Sequence, residues 1–363
     1  MNALSLHDFH ASRGAQFAEL GGWEMVASYG DVAAEYRALR ERVGVLDLSF
    51  RSRLCLTGQD RQRFLNGQVT NNVKGLEPGQ GCYAALVTAK GKLQSDLNIY
   101  CLPDELLLDF EPGLGAAVAE RFASFIIADD VQVVDVAGLY GLLSVQGPGA
   151  AEIVKRLLGT ETPSAPLSFV QVAAPALGEL YGMNQPRGPM AGFDVFAPNE
   201  SISRISATLT NAAQEAGGRL CGWEALEMTR IEAGIPRFGM DMDETNLAPE
   251  AGLDRGISYT KGCYIGQEII ARIRTYGQVA KSLRGFWLPE RLAELPKRGE
   301  KLYQAGREVG YITSALASPA YRRNIALGYV RRECPAGTTL ELQTPSGAGP
   351  VEVIALPFPP PAG

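Results

Sequence analysis

KGCYIGQEIIAR, residues 261–272, sets a lysine, two glycines, a thiol, a phenol, an amide and a carboxylate within eight residues, then an apolar pair and an arginine. A stretch this dense reads as a reactive loop, a ligand clamp or a tight turn. Gly262 and Gly266 let the backbone approach a ligand closely. Lys261, two residues before Cys263, can lower the thiol's pKa below its ordinary value of about 8.5 and make it a better nucleophile or ligand. The other reading of Cys263 is a small buried apolar residue. Just upstream, Asp241, Asp243, Glu244, Glu250 and Asp254 crowd beside Arg230, Arg237 and Arg255, a pattern expected of a salt-bridged loop.

The rest of the chain bounds what this stretch can do. Its 363 residues exceed one ordinary core and imply two or three domains. With 46% hydrophobic and 20% charged residues it reads as a soluble globular protein. The net charge of -6 argues against a general polyanion binder, and the late Arg272, Arg274, Lys281, Arg284, Arg322, Arg323, Arg331 and Arg332 read as scattered solvated charges rather than a nucleic-acid face. No apolar run is long enough to span a bilayer, and the N-terminus lacks the basic and apolar regions of a secretory signal, so a cytoplasmic protein is expected. Six cysteines without a CxxC pair suggest neither a disulfide framework nor a zinc site. His7 and His10, the two histidines, read as part of a polar terminal helix rather than a metal site, and no metal is expected. Catalysis therefore falls to carboxylates, Cys, Lys, Tyr or a cofactor.

Periodicity predicts an amphipathic helix over 31–43, with Asp31 as N-cap and Gly44 as stop. Strands are expected at 53–58, at 82–100 around an AKGK hairpin turn, and at 106–110, 139–147 and 192–198. Helices are expected at 115–127, 149–159, 201–218 and 222–234. Beyond residue 281, short strands between Gly and Pro turns suggest a β-barrel over 282–356. The tail, PFPPPAG (357–363), is expected to be disordered. Two carboxylates stand out. Asp96 should lie at a strand start, as a general base, an acceptor for ligand N–H groups or a turn cap. Asp194, between Phe193 and Val195, faces away from a core, toward a cavity or toward solvent.

Residues 230–286, from RIEAG to SLRGF, resemble the signature region of the YgfZ-type folate-binding proteins, whose hallmark is similar to K-G-C-[YF]-[IV]-G-Q-E. LTGQDRQRFLNGQVTNNV (56–73) and LLSVQGPGA (142–150) resemble both that family and its relative, the glycine-cleavage T-protein, an aminomethyltransferase. Residues 10–30 and 40–49 look like the T-protein N-terminus. The resemblance implies an α+β fold: a three-lobed T-protein-like ring with interleaved lobes over 1–281 and a C-terminal β-barrel over 282–356.

It also implies tetrahydrofolate, or a one-carbon derivative, as cofactor. In GKLQSDL (91–97) Asp96 takes the place of the T-protein aspartate near the reactive folate nitrogens, with Ser95 replacing a first aspartate. Asp194 takes the place of a pterin-binding glutamate, one methylene shorter. Arg230 takes the place of an arginine that pairs with the folate glutamate. Lys261, Gly262 and Tyr264 would form one wall of the site, and Cys263 would act with Asp96 as a catalytic residue. Phe50 stands where the T-protein usually has His, and DFEPG (109–113) where it has an Asn that touches folate. These departures favour the YgfZ-like role, supporting iron–sulfur cluster assembly or repair in client proteins, including tRNA-modifying enzymes. One cysteine cannot hold a cluster that needs about four ligands, so no stable bound cluster is expected. The alternative is a folate-dependent aminomethyltransferase or demethylase.

Overall fold

The computed structural model describes residues 1–277, 279–345 and 347–361. In chain order it contains α1 (His7–Ala11), β1 (Gln16–Leu20), β2 (Trp23–Ser28), α2 (Val32–Glu41), β3 (Gly44–Asp47), β4 (Ser52–Thr57), α3 (Arg61–Gln68), β5 (Gly81–Val87), β6 (Leu93–Cys101), β7 (Leu106–Phe110), α4 (Gly115–Ala123), β8 (Gln132–Asp135) and β9 (Tyr140–Gln146). There follow α5 (Ala150–Leu158), β10 (Phe169–Ala174), β11 (Gly178–Asn184), β12 (Gly192–Pro198), α6 (Ile202–Glu215), β13 (Arg219–Leu220), α7 (Trp223–Glu232) and α8 (Gln267–Tyr276). The last strands are β14 (Lys281–Trp287), β15 (Lys301–Gln304), β16 (Arg307–Ser318), β17 (Arg323–Arg331), β18 (Thr339–Thr344) and β19 (Gly347–Ile354). The α+β class and the C-terminal barrel are as the sequence implies. The chain divides into unit 1, residues 1–86, 95–229 and 255–264, and unit 2, residues 87–94, 230–254 and 265–363.

Unit 1 holds a five-stranded sheet, ordered β5-β6-β7-β4-β8, and a six-stranded sheet, ordered β10-β11-β12-β9-β3-β13. Period-2 alternation assigns the faces. Leu54, Leu56, Leu97, Ile99, Leu106 and Leu108 pack outward on Phe64 and Leu65 of α3 and Val118 and Phe122 of α4. Leu143, Val145, Phe193 and Val195 pack outward on Ile153 and Val154 of α5 and Ile205 and Leu209 of α6. The opposite parity of both sheets meets in a shared core that includes Cys55, Tyr100, Leu107, Leu142 and Phe196. Arg53, Asp96, Asn98, Asp109, Ser144, Gln146 and Asp194 lie on that inner parity. Charged residues are thus threaded into an inter-sheet layer, where each needs a partner.

Unit 2 carries the closed barrel, ordered β14-β17-β16-β15-β18-β19, with β19 returning to β14 through Phe286 opposite Val353. Phe286, Leu302, Ile312, Leu342 and Val353 fill it. The tail departs from expectation. Phe358 is buried and stacks on Trp287 at 5.0 Å, because an aromatic ring on a short Pro-rich segment can dock without pairing as a strand. Ala362 and Gly363, the end of the expected disordered tail, lie outside the described residues.

The second half of the opening stretch is helical. Gly266 begins α8 with φ +85°, and a Cβ there would lie 2.6 Å from the Thr88 carbonyl oxygen. Its glycine is demanded by the chain itself rather than by a ligand. The N-terminal helix α1 also differs from a polar surface helix. His10 is buried, with Nε2 3.0 Å from Asp47 and Nδ1 2.7 Å from the Tyr29 hydroxyl, and His7 lies 2.9 Å from Glu24. No helix among the described residues is long and apolar enough to cross a membrane.

Candidate active site

Asp96 sits on β6 facing the inter-sheet layer. The Tyr83 hydroxyl donates to its Oδ2 at 2.9 Å, while Oδ1 is buried without a hydrogen-bond partner. Burial, reinforced by repulsion from Glu111, pushes its carboxyl up to about 6 against the opposing pull of Tyr83 and Arg51. An unmatched buried acceptor is costly, and a ligand N–H supplies what it lacks. Tyr100, on the same face of β6, has a buried hydroxyl that is also unmatched, and burial beside Asp194 and Asp109 raises its pKa. These unmatched oxygens are compatible with a ligand that carries N–H donors, as a reduced pterin does.

A chain of alternating charges runs through the same layer. Arg51 Nε donates to Asp109 at 2.7 Å and Nη1 to Glu111 at 3.0 Å. Asn98, paired with Asp109 across β6 and β7, donates to it at 3.0 Å. Arg187 bridges the two sheets, with Nη2 3.1 Å from Asp109 and Nε 3.1 and 3.2 Å from the oxygens of Asp194. Ser144, opposite Asp194 on β9, donates to it at 2.7 Å. Burial alone would raise Asp109, but two guanidiniums hold it at about 2. Asp194 goes the other way: burial outweighs its single guanidinium and raises it. Asp194 thus points away from Phe193 and Val195 as the alternation predicts. What it meets is neither open cavity nor solvent: it is sealed and ion-paired.

Arg230 belongs to unit 2. It is buried there, paired with Asp241, and donates to the Ser314 hydroxyl at 3.0 Å. Thr313 and Ser314 also donate to Asp241, at 2.6 and 2.7 Å. Part of the acidic loop is thus a buried hub, because Asp241 is fully covered and collects these donors. A folate carboxylate would have to compete with Asp241 for Arg230.

The opening stretch also rearranges its roles. Lys261 does not serve the thiol. Its ammonium donates to the carbonyls of Asn66, Val69 and Asn71 at 2.5, 2.8 and 2.7 Å, and lies 4.9 Å from the Tyr264 ring centre. Burial pulls it down to about 8, with Cys82 opposing. Tyr264 is buried, and that burial pushes its phenol up to about 12. Gly262 has open space around it, and Cys263 is exposed. Lys261 pins the end of α3 and the α3–β5 connection, with the Tyr264 ring beside its ammonium, and Cys263 is on the surface.

Reading the sequence missed Tyr83, Arg51, Asp109, Glu111 and Arg187. A signal existed for two of them. Arg51 and Arg53 alternate with serines ahead of the apolar LCL run, and Asp109 interrupts the apolar LLLDF. An ionisable residue inside a strand buried on both faces requires a charged partner. Arg187 lies in an irregular Pro-Gly segment that carries no such signal.

Comparison with known proteins fits this architecture. A family model described as the GCVT N-terminal domain matches residues 6–261, and one described as the glycine cleavage T-protein C-terminal barrel domain matches 281–359. The chain is 30% identical to an aminomethyltransferase of Saccharopolyspora erythraea over 97% of its length and 96% of that protein's. It is 26% identical to one from Halothermothrix orenii, covering 99% of this chain and 100% of that protein. The crystal structure of the glycine cleavage system aminomethyltransferase T from Bartonella henselae superposes with a TM-score of 0.88 over 99% of this chain and 98% of that one, at 20% identity.

Proposed function

The chain belongs to the glycine cleavage T-protein family, and on that premise we propose that it binds tetrahydrofolate, or a one-carbon derivative, against Asp96 and uses it in aminomethyl or methyl transfer or demethylation. The observation that carries this reading is the buried, unmatched Oδ1 of Asp96. Bound folate would supply the amine nitrogens that take up a one-carbon unit. Tyr83 holds Oδ2, which leaves Oδ1 directed at a ligand N–H. A carboxyl raised to about 6 exchanges a proton close to neutral pH, as a general acid–base group must. Burial of the layer keeps competing water from the proton. In this reading residues 1–281 make the folate-binding region and 282–356 the accessory barrel.

Calorimetry with tetrahydrofolate and its one-carbon forms, on wild type and Asp96→Asn, tests it. Binding by wild type that weakens at least about tenfold in the variant supports the role of Oδ1, since a charge-assisted hydrogen bond is worth about that much. If neither protein binds any folate, the proposal fails. Turnover of a methylamine-type substrate with tetrahydrofolate, lost in Asp96→Asn, would establish the transferase reading.

A second reading rests on Cys263. It is the exposed cysteine among the six and stands in the K-G-C-Y-I-G-Q-E octet that resembles the YgfZ-type proteins. In that reading the folate-bound protein supports iron–sulfur cluster assembly or repair in the cytoplasm, with tRNA-modifying enzymes among its clients and the thiol acting on a client or its cluster. Cys263→Ala should keep folding and folate binding but abolish the activity of such clients in cells lacking the native protein. Full complementation by that variant removes this reading.

A further inference from the structure

Arg187 lies on the segment QPRGP (185–189) between β11 and β12. Its side chain keeps 10% exposure, while the Asp109 and Asp194 carboxylates beneath it keep none. It covers Asp194 like a plug. Three donors already cover the two Asp194 oxygens: the Ser144 hydroxyl on Oδ1, Arg187 Nη2 on Oδ2, and the single Nε–H of Arg187 within reach of both. The paired-oxygen edge of Asp194 is taken by the Arg187 fork while that guanidinium is in place.

A guanidinium fork is a planar N–C–N group with parallel N–H donors that match a carboxylate. The 2-amino-4-oxopyrimidine ring of a pterin carries the same pattern along its ring N–H and exocyclic amino group. We infer that Arg187 occupies Asp194 as an internal stand-in for such an edge, so that a ligand reaches this carboxylate only by replacing the guanidinium with a matching pair of donors. The inference rests on the folate reading above and adds to it the residue that decides which ligand is admitted. A ligand without the paired donors would leave a buried, unpaired carboxylate, which is strongly disfavoured.

Two features make the exchange feasible. Asp109 does not depend on Arg187, since Arg51 and Asn98 still donate to it. The segment carrying Arg187 has no helix or strand to unravel. Its anchorage is through Gln146, which accepts from the Arg187 N–H at 3.0 Å and donates to the Gln185 carbonyl at 3.0 Å.

The test is calorimetry on full-length wild type, Arg187→Gln and Arg187→Ala, with tetrahydrofolate and with its 2-desamino-2-methyl analogue. Removing the stand-in should tighten tetrahydrofolate binding by about tenfold or more, with no gain for the analogue. Unchanged or weaker binding by folded variants, or an equal gain for the analogue, overturns the stand-in role and leaves the folate reading in force. Absence of folate binding in all three proteins overturns the folate reading itself. If neither variant folds, a crystal structure of wild type with tetrahydrofolate decides. A pterin edge in place of the fork supports the inference, and an intact Arg187–Asp194 fork refutes it.

Discussion

Replacing Asp96 by Asn should change how stability depends on pH, by an amount the site fixes. The carboxyl stands at about 6 in the fold against an ordinary value of 3.8. Below pH 4 it is protonated folded and unfolded, and it contributes no difference. Between pH 4 and 6 the unfolded chain releases the proton while the folded chain keeps it, so wild type loses stability as pH rises. Above pH 6 the loss is complete, about two pKa units or about 3 kcal/mol. Asn at this position cannot titrate. Its own cost, from placing an amide where Oδ1 had no partner, is the same at every pH. The gap between variant and wild type should therefore move by about 3 kcal/mol in favour of the variant between pH 4 and pH 7. Urea unfolding at half-unit pH steps, followed by tyrosine and tryptophan fluorescence, reads that gap. Parallel curves for the two proteins would show that Asp96 titrates normally and would refute the argument from burial. Saturating tetrahydrofolate should shrink the wild-type loss, because a donor at Oδ1 stabilises the ionised form.

Two further outcomes follow from contacts outside that layer. Lys261→Met strips three carbonyls of their shared ammonium and should cost about 2–4 kcal/mol in urea unfolding, with folate affinity unchanged in the folded fraction. Lost affinity at unchanged stability would return Lys261 to the ligand. Phe358→Ala empties the contact against Trp287 and Tyr321 and should destabilise the barrel by about 3 kcal/mol in thermal unfolding. An unchanged transition would show that the ring does not hold the tail.

What was legible in the sequence follows from what periodicity encodes. The strands at 53–58, 82–100 and 192–198 and the barrel were readable because alternation and turn chemistry are local. The same alternation placed Asp194 on the side opposite Phe193 and Val195. It could not show that this side is a second core, since that depends on which sheet lies across from β12. Lys261 is the clearest case. Its neighbour in sequence is Cys263, but its partners in space are carbonyls about 190 residues earlier. A proximity argument drawn along the chain was bound to assign it to the thiol. The start of α8 was hidden because a glycine-rich motif reads as loop until its left-handed residue is seen to begin a helix. Asp96 was singled out, through an expected strand-start position and its family resemblance, although β6 begins at Leu93 and carries it inside the strand. Tyr83, which leaves Oδ1 as the open acceptor, was not, because a tyrosine in an apolar strand carries no mark of function.

The ammonium of Lys261 closes unit 1 late. At a synthesis rate of about 5–20 residues per second, the carbonyl of Asn71 leaves the ribosome roughly 10–40 s before the lysine that will cap it. Residues 255–264 return to unit 1 only after 230–254 have been made for unit 2. The nascent chain therefore cannot finish its first unit before starting its second, and a gene fragment ending at residue 229 encodes a body whose final clasp is missing. Co-translational helpers, and anyone cutting the chain for expression, meet the same constraint: the seam lies inside KGCYIGQE rather than at either end of it.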